Sequence, residues 1–211
     1  GISAWFLIQK RHILLAKKSI VVASAFGLIT SAFLLLSGDE SAYFVAQKQP
    51  MKLAAMEGLY KGEQNAGLVA AGILNPAKKL GDESDAFLLE IKVPYALGIM
   101  ANRELDSFTP GINDLLYGNS EHNLISVEEK MAKGKVAIEA LKNYKEAKKA
   151  NDESLMKSSL SNLESNLNFL GYGYLKDAKD AVPPVALTFY SFHIMVALGT
   201  YFIALFVITL Y

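Results

Sequence analysis

SIVVASAFGLITSAFLLLSG, residues Ser19 to Gly38, carries no charged side chain. At 1.5 Å of rise per residue, a helix of about 20 residues crosses roughly 30 Å of hydrocarbon. Ten of its side chains are strongly apolar (Ile20, Val21, Val22, Phe26, Leu28, Ile29, Phe33, Leu34, Leu35 and Leu36). Together they contribute about 3 to 6 kcal/mol of insertion free energy. The stretch reads as a transmembrane helix over 19–38. A second uncharged run, Val185 to Leu210, has His193 as its only ionisable group and follows Pro183 and Pro184, where a helix start tolerates proline. It predicts another span over 184–211.

Charge placement orients these spans. Lys10, Arg11, Lys17 and Lys18 crowd the turn at 10–18, whereas Asp39 and Glu40 follow the first span, so the positive-inside rule puts the turn in the cytoplasm and 39–183 outside it. All acidic residues lie between Asp39 and Asp180, which gathers the polar residues into a single block. The totals balance at 21 basic and 21 acidic residues, so no basic nucleic-acid footprint stands out. The 52% hydrophobic content averages a lipid-facing region with a water-facing region. The absence of cysteine excludes disulfides, zinc-thiolate sites and a cysteine nucleophile. The chain opens at Gly1 within the apolar run Ile2 to Ile8, which reads as the end of a further span over 1–9, so the sequence reads as a fragment that begins inside a helix. A secretory signal at Lys17 to Ser41 is the competing reading, and the second span argues against it.

The loop reads as mainly helical. Pro50 to Tyr60 predicts a short helix with proline in its first turn and Gly58 and Gly62 near its end. Phe87 to Ala101 is the loop's most apolar stretch; Pro94 forbids an uninterrupted helix there, and the stretch is expected against the membrane surface or the protein body. Ser126 to Glu129 has capping-box form and opens a charged helix that breaks at Asn151 and Asp152. A second helix with Met156, Leu160, Leu163, Leu167 and Leu170 at alternating spacings of four and three completes a hairpin at about 126–170. No repeat and no strand-rich region is evident. No Gly-rich phosphate loop, Ser/His/Asp set or His/Glu metal pattern occurs.

Five short strings in fixed order carry a resemblance: Gly38-Asp-Glu-Ser41, Lys52-Leu-Ala-Ala-Met-Glu57, Pro94-Tyr-Ala-Leu-Gly98, Gly171-Tyr-Gly173 and Phe192-His-Ile-Met-Val196. In this order, between these spans, the chain resembles subunit I of the cytochrome bd quinol oxidases over its whole length, with the charged hairpin contributing little. The resemblance implies an all-α integral membrane protein of the bacterial inner membrane, a quinol:oxygen oxidoreductase acting within a larger complex. Quinol would be oxidised at the extracytoplasmic loop, with electrons passing to a low-spin haem b and on to oxygen. Lys52 and Glu57 match the family's quinol-site Lys and Glu. Quinol oxidation releases two electrons and two protons, so a donor to a quinone oxygen and a carboxylate that takes a proton suit the chemistry. Five residues apart, the two side chains point about 140° apart on a helix, and they flank one ligand only if the segment bends. Glu83 aligns with an acidic family position of the quinol loop; as a member of the run Asp82 to Asp85 it also reads as a solvated charge.

Met195 matches the axial ligand of the low-spin haem b. Read from the residues alone, His193 is its rival, because an ionisable group in a span is a functional flag and histidine is the commoner haem ligand. The two stand about 200° apart around the helix, so only one faces a given haem; the family pattern favours Met195. Many relatives carry Arg where His193 stands, which leaves His193 to a haem propionate, a neighbouring helix or the lipid interface. The second axial histidine is expected upstream of Gly1, and the ligands of the high-spin haem b and haem d likewise outside this sequence. Subunit II, small accessory subunits, membrane lipid and quinol are the implied partners, with no nucleic acid. A sensor or chemoreceptor module, two spans around a helical outer domain, is the alternative reading.

Overall fold

In the computed structural model, which describes residues 1–211, helix α1 (Ile2–Ile8) meets α2 (Ile13–Lys48) through a turn in which Lys10 and His12 adopt positive φ. α2 is one continuous helix of 36 residues. It therefore runs past Gly38 and carries Asp39, Glu40 and Tyr43 beyond the uncharged stretch. Gln49 breaks it, and Pro50, whose missing N–H costs nothing in a first turn, opens α3 (Pro50–Glu57).

After α3 the chain departs from a purely helical loop. The two-residue β1 (Glu63–Gln64) pairs antiparallel with β4 (Phe108–Thr109), and β2 (Leu68–Leu74) pairs antiparallel with β3 (Phe87–Val93). The apolar stretch that begins at Phe87 is thus a strand as far as Val93. Pro94 cannot donate to a ladder and stands in the turn after it, and only then does α4 (Ala96–Asn102) begin. Leu88, Leu89 and Ile91 of β3 remain exposed. Arg103 ends α4 and pairs with Asp39 of α2 at 2.7 Å, fastening this region of the loop to the helical extension. α5 (Ile112–Tyr117) follows, held by Asp114, whose carboxylate accepts from the backbone N–H groups of Gly62 and Gly111.

The hairpin forms as its capping residues require. Ser126 Oγ accepts from Glu129 N at the start of α6 (Val127–Ala150), Asn151 takes a left-handed turn, and Asp152 caps α7 (Glu153–Asn166). The leucine stripe is shorter than its periodicity implies. α7 gives way at Leu167 to a 3-10 segment, Leu167–Tyr174, so Leu167 is exposed, and it is Ser159 that is buried on α7. The 3-10 segment lies close along α6 where Gly134 faces Gly173 backbone to backbone. A second 3-10 turn, Ala178–Ala181, leads to α8 (Val185–Leu210), which packs on α2 where Gly27 leaves room for the Phe206 ring.

α2 and α8 are both long and apolar enough to cross a membrane. Their large side chains, Phe26, Phe33, Leu34 and Ile208 among them, face outward. That is the arrangement expected where the surrounding solvent is lipid. The buried residues cluster instead in the loop, around α3, α4, α5 and α6.

Candidate functional site

Glu57 is the last residue of α3 and is 2% exposed. The next residue explains how it is buried. Gly58 takes φ of +63°, and a Cβ there would lie 2.7 Å from the Phe87 ring, so only glycine lets the chain turn this tightly beneath the β2–β3 sheet. The turn leaves the Glu57 carboxylate under β2, where its Oε2 accepts a long hydrogen bond, 3.4 Å, from the Val69 N–H. Burial pushes the carboxyl up from 4.5 to about 7; the charge of His193 and the Val69 N–H pull the other way without cancelling it.

The other side of the Val69 residue is also engaged. Its carbonyl faces His193 Nε2 at 2.7 Å, while His193 Nδ1 faces the Phe189 carbonyl at 2.9 Å. Two acceptors thus confront one ring, and only the doubly protonated ring donates to both. The ring stacks on Phe189, centroids 4.0 Å apart, and Phe189 in turn meets Phe87. Tyr190 Oη accepts from the Leu74 N–H at 3.0 Å. Side chains of α8 therefore occupy the edge of β2 that β3 does not use.

Glu57 lies on the wall of a cavity of about 970 Å³ bounded by both strands and by the acidic run Asp82 to Asp85. Glu83 lines the same cavity and is exposed at its rim. The acidic run is held by Lys78, whose buried side chain pairs with Asp82 at 2.8 Å and also donates to the carbonyls of Asp82 and Ser84. The hydrogen bond from Lys78 holds the Asp82 carboxyl down, to about 2.

Lys52 lies elsewhere. α3 is regular, so the angular separation expected from the spacing persists, and Lys52 opens into a different cavity of about 540 Å³, lined also by Asn168, Tyr172, Asp180 and Thr188. Met195 is 60% exposed on the outer face of α8, and His193 turns inward to β2. The thioether is thus open to a group arriving at that face, whereas both His193 nitrogens face backbone carbonyls. No cluster of three His, Asp or Glu side chains accompanies Met195; a porphyrin, which brings its own equatorial nitrogens, needs only axial donors. In that respect one open sulfur fits the group.

The family described as cytochrome bd terminal oxidase subunit I matches residues 1–211. The chain belongs to that family. Among curated relatives, the cytochrome bd-II ubiquinol oxidase subunit 1 of Escherichia coli (strain K12) is 32% identical over 100% of this chain and 40% of its own length. The cytochrome bd ubiquinol oxidase subunit 1 of Bacillus subtilis (strain 168) is 32% identical over 58% of this chain and 26% of its own. This subunit I chain therefore spans less than half the length of the curated relatives it matches. The bd oxidase of Geobacillus thermodenitrificans aligns over 99% of this chain and 52% of its own, at 18% identity and a TM-score of 0.47.

Membership sets the sensor reading aside and makes this a membrane protein of the bd oxidase type. Of the residues singled out from the sequence of this subunit I chain, Glu57 and Glu83 share a cavity, while Lys52 and Met195 each stand apart. Sequence reasoning missed Val69, Tyr190 and Lys78. Val69 acts through its backbone, which leaves no trace in residue type, and Lys78 is one lysine among many. Only His193 carried a signal, as an ionisable group in a span.

Proposed function

We propose that this chain forms the quinol-oxidising region of a bd-type terminal oxidase, a quinol:oxygen oxidoreductase completed by subunit II and the rest of subunit I. The observation that carries the reading is Glu57, a buried carboxyl raised to about 7 on the wall of a cavity of about 970 Å³. A carboxylate poised near neutrality is a competent proton acceptor from a quinol hydroxyl, because proton transfer is most effective when the acceptor's pKa lies near the working pH. Glu83 at the rim offers the next acceptor toward water. Lys52, on the opposite face of the regular helix α3, does not flank the quinol that Glu57 deprotonates; it donates to a quinol oxygen at a separate binding position in its own cavity of about 540 Å³, so binding and proton removal fall to different sides of one short helix. With the loop extracytoplasmic, both protons leave on the outside.

Met195 is the residue we assign as an axial ligand of the low-spin haem b. When bound, the haem supplies a one-electron acceptor whose potential a thioether ligand raises. The exposure of Met195 at the face of α8 supports this assignment, as does the engagement of His193 elsewhere. The high-spin haem b and haem d would take their ligands from outside this sequence.

The test is made in the whole oxidase. Glu57→Gln should lower kcat for quinol oxidation by about 100-fold, the scale of a lost general base, with haem content normal. Lys52→Ala should raise KM and leave kcat nearly intact. Met195→Leu should shift or remove the low-spin haem absorption. Normal turnover in both loop variants would reject the quinol assignment, and an unaltered spectrum in Met195→Leu would move the ligand elsewhere.

A further inference from the structure

We infer that His193 is a positioning residue for Glu57, acting through the backbone of Val69. The inference rests on the proposed role of Glu57 in quinol oxidation. Val69 is the only residue of β2 whose N–H and C=O are both taken by side chains outside the sheet: the N–H by Glu57 at 3.4 Å, the C=O by His193 at 2.7 Å. A peptide group is planar, so a residue whose carbonyl is fixed can turn its N–H only through its own φ and ψ. Clamping the carbonyl therefore limits where the N–H of the same residue can aim. The clamp is needed because the ladder is irregular here, with register shifts between Val69 and Ala71 and again between Ile73 and Leu74. At such a point strand pairing alone does not set peptide orientation.

The other contacts of His193 make it a rigid clamp. Its ring lies against Phe189, and its Nδ1 faces the Phe189 carbonyl at 2.9 Å one turn back on α8. Tyr190 fixes the same strand edge at Leu74. α8, the helix that carries Met195, thereby sets the geometry of the loop carboxylate. The hydrogen bond to Glu57 is long, and catalytic hydrogen bonds of that kind tighten when a ligand binds.

The experiment is a double-mutant cycle in the assembled oxidase. His193→Phe keeps the ring and its stacking on Phe189 but cannot donate; it should slow quinol turnover about tenfold, the scale of a misplaced catalytic group. His193→Gln, which restores a donor, should recover most of the rate. Because the effect passes through Glu57, the double variant His193→Phe with Glu57→Gln should be no slower than Glu57→Gln alone. The low-spin haem absorption should be unchanged in all three. A second readout is independent of turnover: the carboxyl band that Glu57→Gln removes from the redox-difference infrared spectrum should move in His193→Phe and return in His193→Gln. Where the Phe variant does not accumulate, His193→Asn, too short to reach Val69, carries the same comparison.

Wild-type turnover in His193→Phe, multiplicative losses in the double variant, or loss of the haem band would each overturn the inference. If Glu57→Gln is itself as fast as wild type, the quinol-site reading fails and takes the inference with it. If Glu57→Gln is slow and His193→Phe is not, only the inference fails.

Discussion

The role proposed for Glu57 pits function against stability within one side chain. Its carboxyl titrates near 7 in the fold and near 4.5 when free, so the folded chain holds that proton more tightly than the unfolded chain does. The sign follows by linkage. Below 4.5 both states are protonated and the group costs nothing; as pH rises to about 7 the unfolded chain ionises first, and stability falls by about 3 kcal/mol across the interval. Two consequences can be measured together. Quinol oxidation should rise with pH through about 7 as the carboxylate forms, and Glu57→Gln should abolish that limb. The same variant, uncharged at every pH, should melt higher than wild type at alkaline pH and equally at acid pH. An acid limb that survives in Glu57→Gln would assign the titration to another group.

At the scale of elements, the loop is held by close backbone contacts more than by a large core. Gly134 of α6 lies directly against Gly173 of the 3-10 segment, and a Cβ at either position would overlap the other's backbone. Gly134→Leu should therefore pry the 3-10 segment from α6 and make the loop much more sensitive to limited proteolysis, while leaving α2 and α8 in the membrane; unchanged protease resistance would show that the contact is dispensable. Local and distant contacts differ in how far residue type reveals them. The α6–α7 hairpin was legible because Ser126, Asn151 and Asp152 are local signals, written in the residues that form them. The β2–β3 hairpin was not. Leu68–Leu74 (LVAAGIL) and Phe87–Val93 (FLLEIKV) lack strict alternation, their partners lie far apart in sequence, and the apolar side chains of β3 are largely exposed instead of marking one buried face. The candidate site fared similarly. The family resemblance flagged Glu57 and residue type flagged His193, but their link runs through a backbone group twelve residues from one and 124 from the other.

For the whole molecule, the governing fact is that water-facing and lipid-facing regions are segregated along the chain. The two spans were legible because a long uncharged run has few alternative uses, and the family matches the full chain. The sidedness of the loop rests on a further argument. The α1–α2 turn and the first turns of α2 carry Lys10, Arg11, Lys17 and Lys18 with no acidic residue, and cationic segments of this kind are retained in the cytoplasm. Every acid lies on the far side of the uncharged stretch, from Asp39 onward, and Arg103 is drawn to Asp39 there. The proposed proton release to the outside depends on this orientation, because a carboxylate at Glu57 would discharge to whichever side its cavity opens. Residues 1–211 hold no cysteine, so a single cysteine introduced among them is read against the label taken up by the unsubstituted oxidase. Glu146→Cys on α6 and Lys17→Cys at the start of α2 both replace exposed residues. In intact spheroplasts a membrane-impermeant maleimide should label the first at once and the second only after permeabilisation. The reverse pattern would turn the protein over in the membrane, and proton release from quinol oxidation at Glu57 would then be assigned to the cytoplasm.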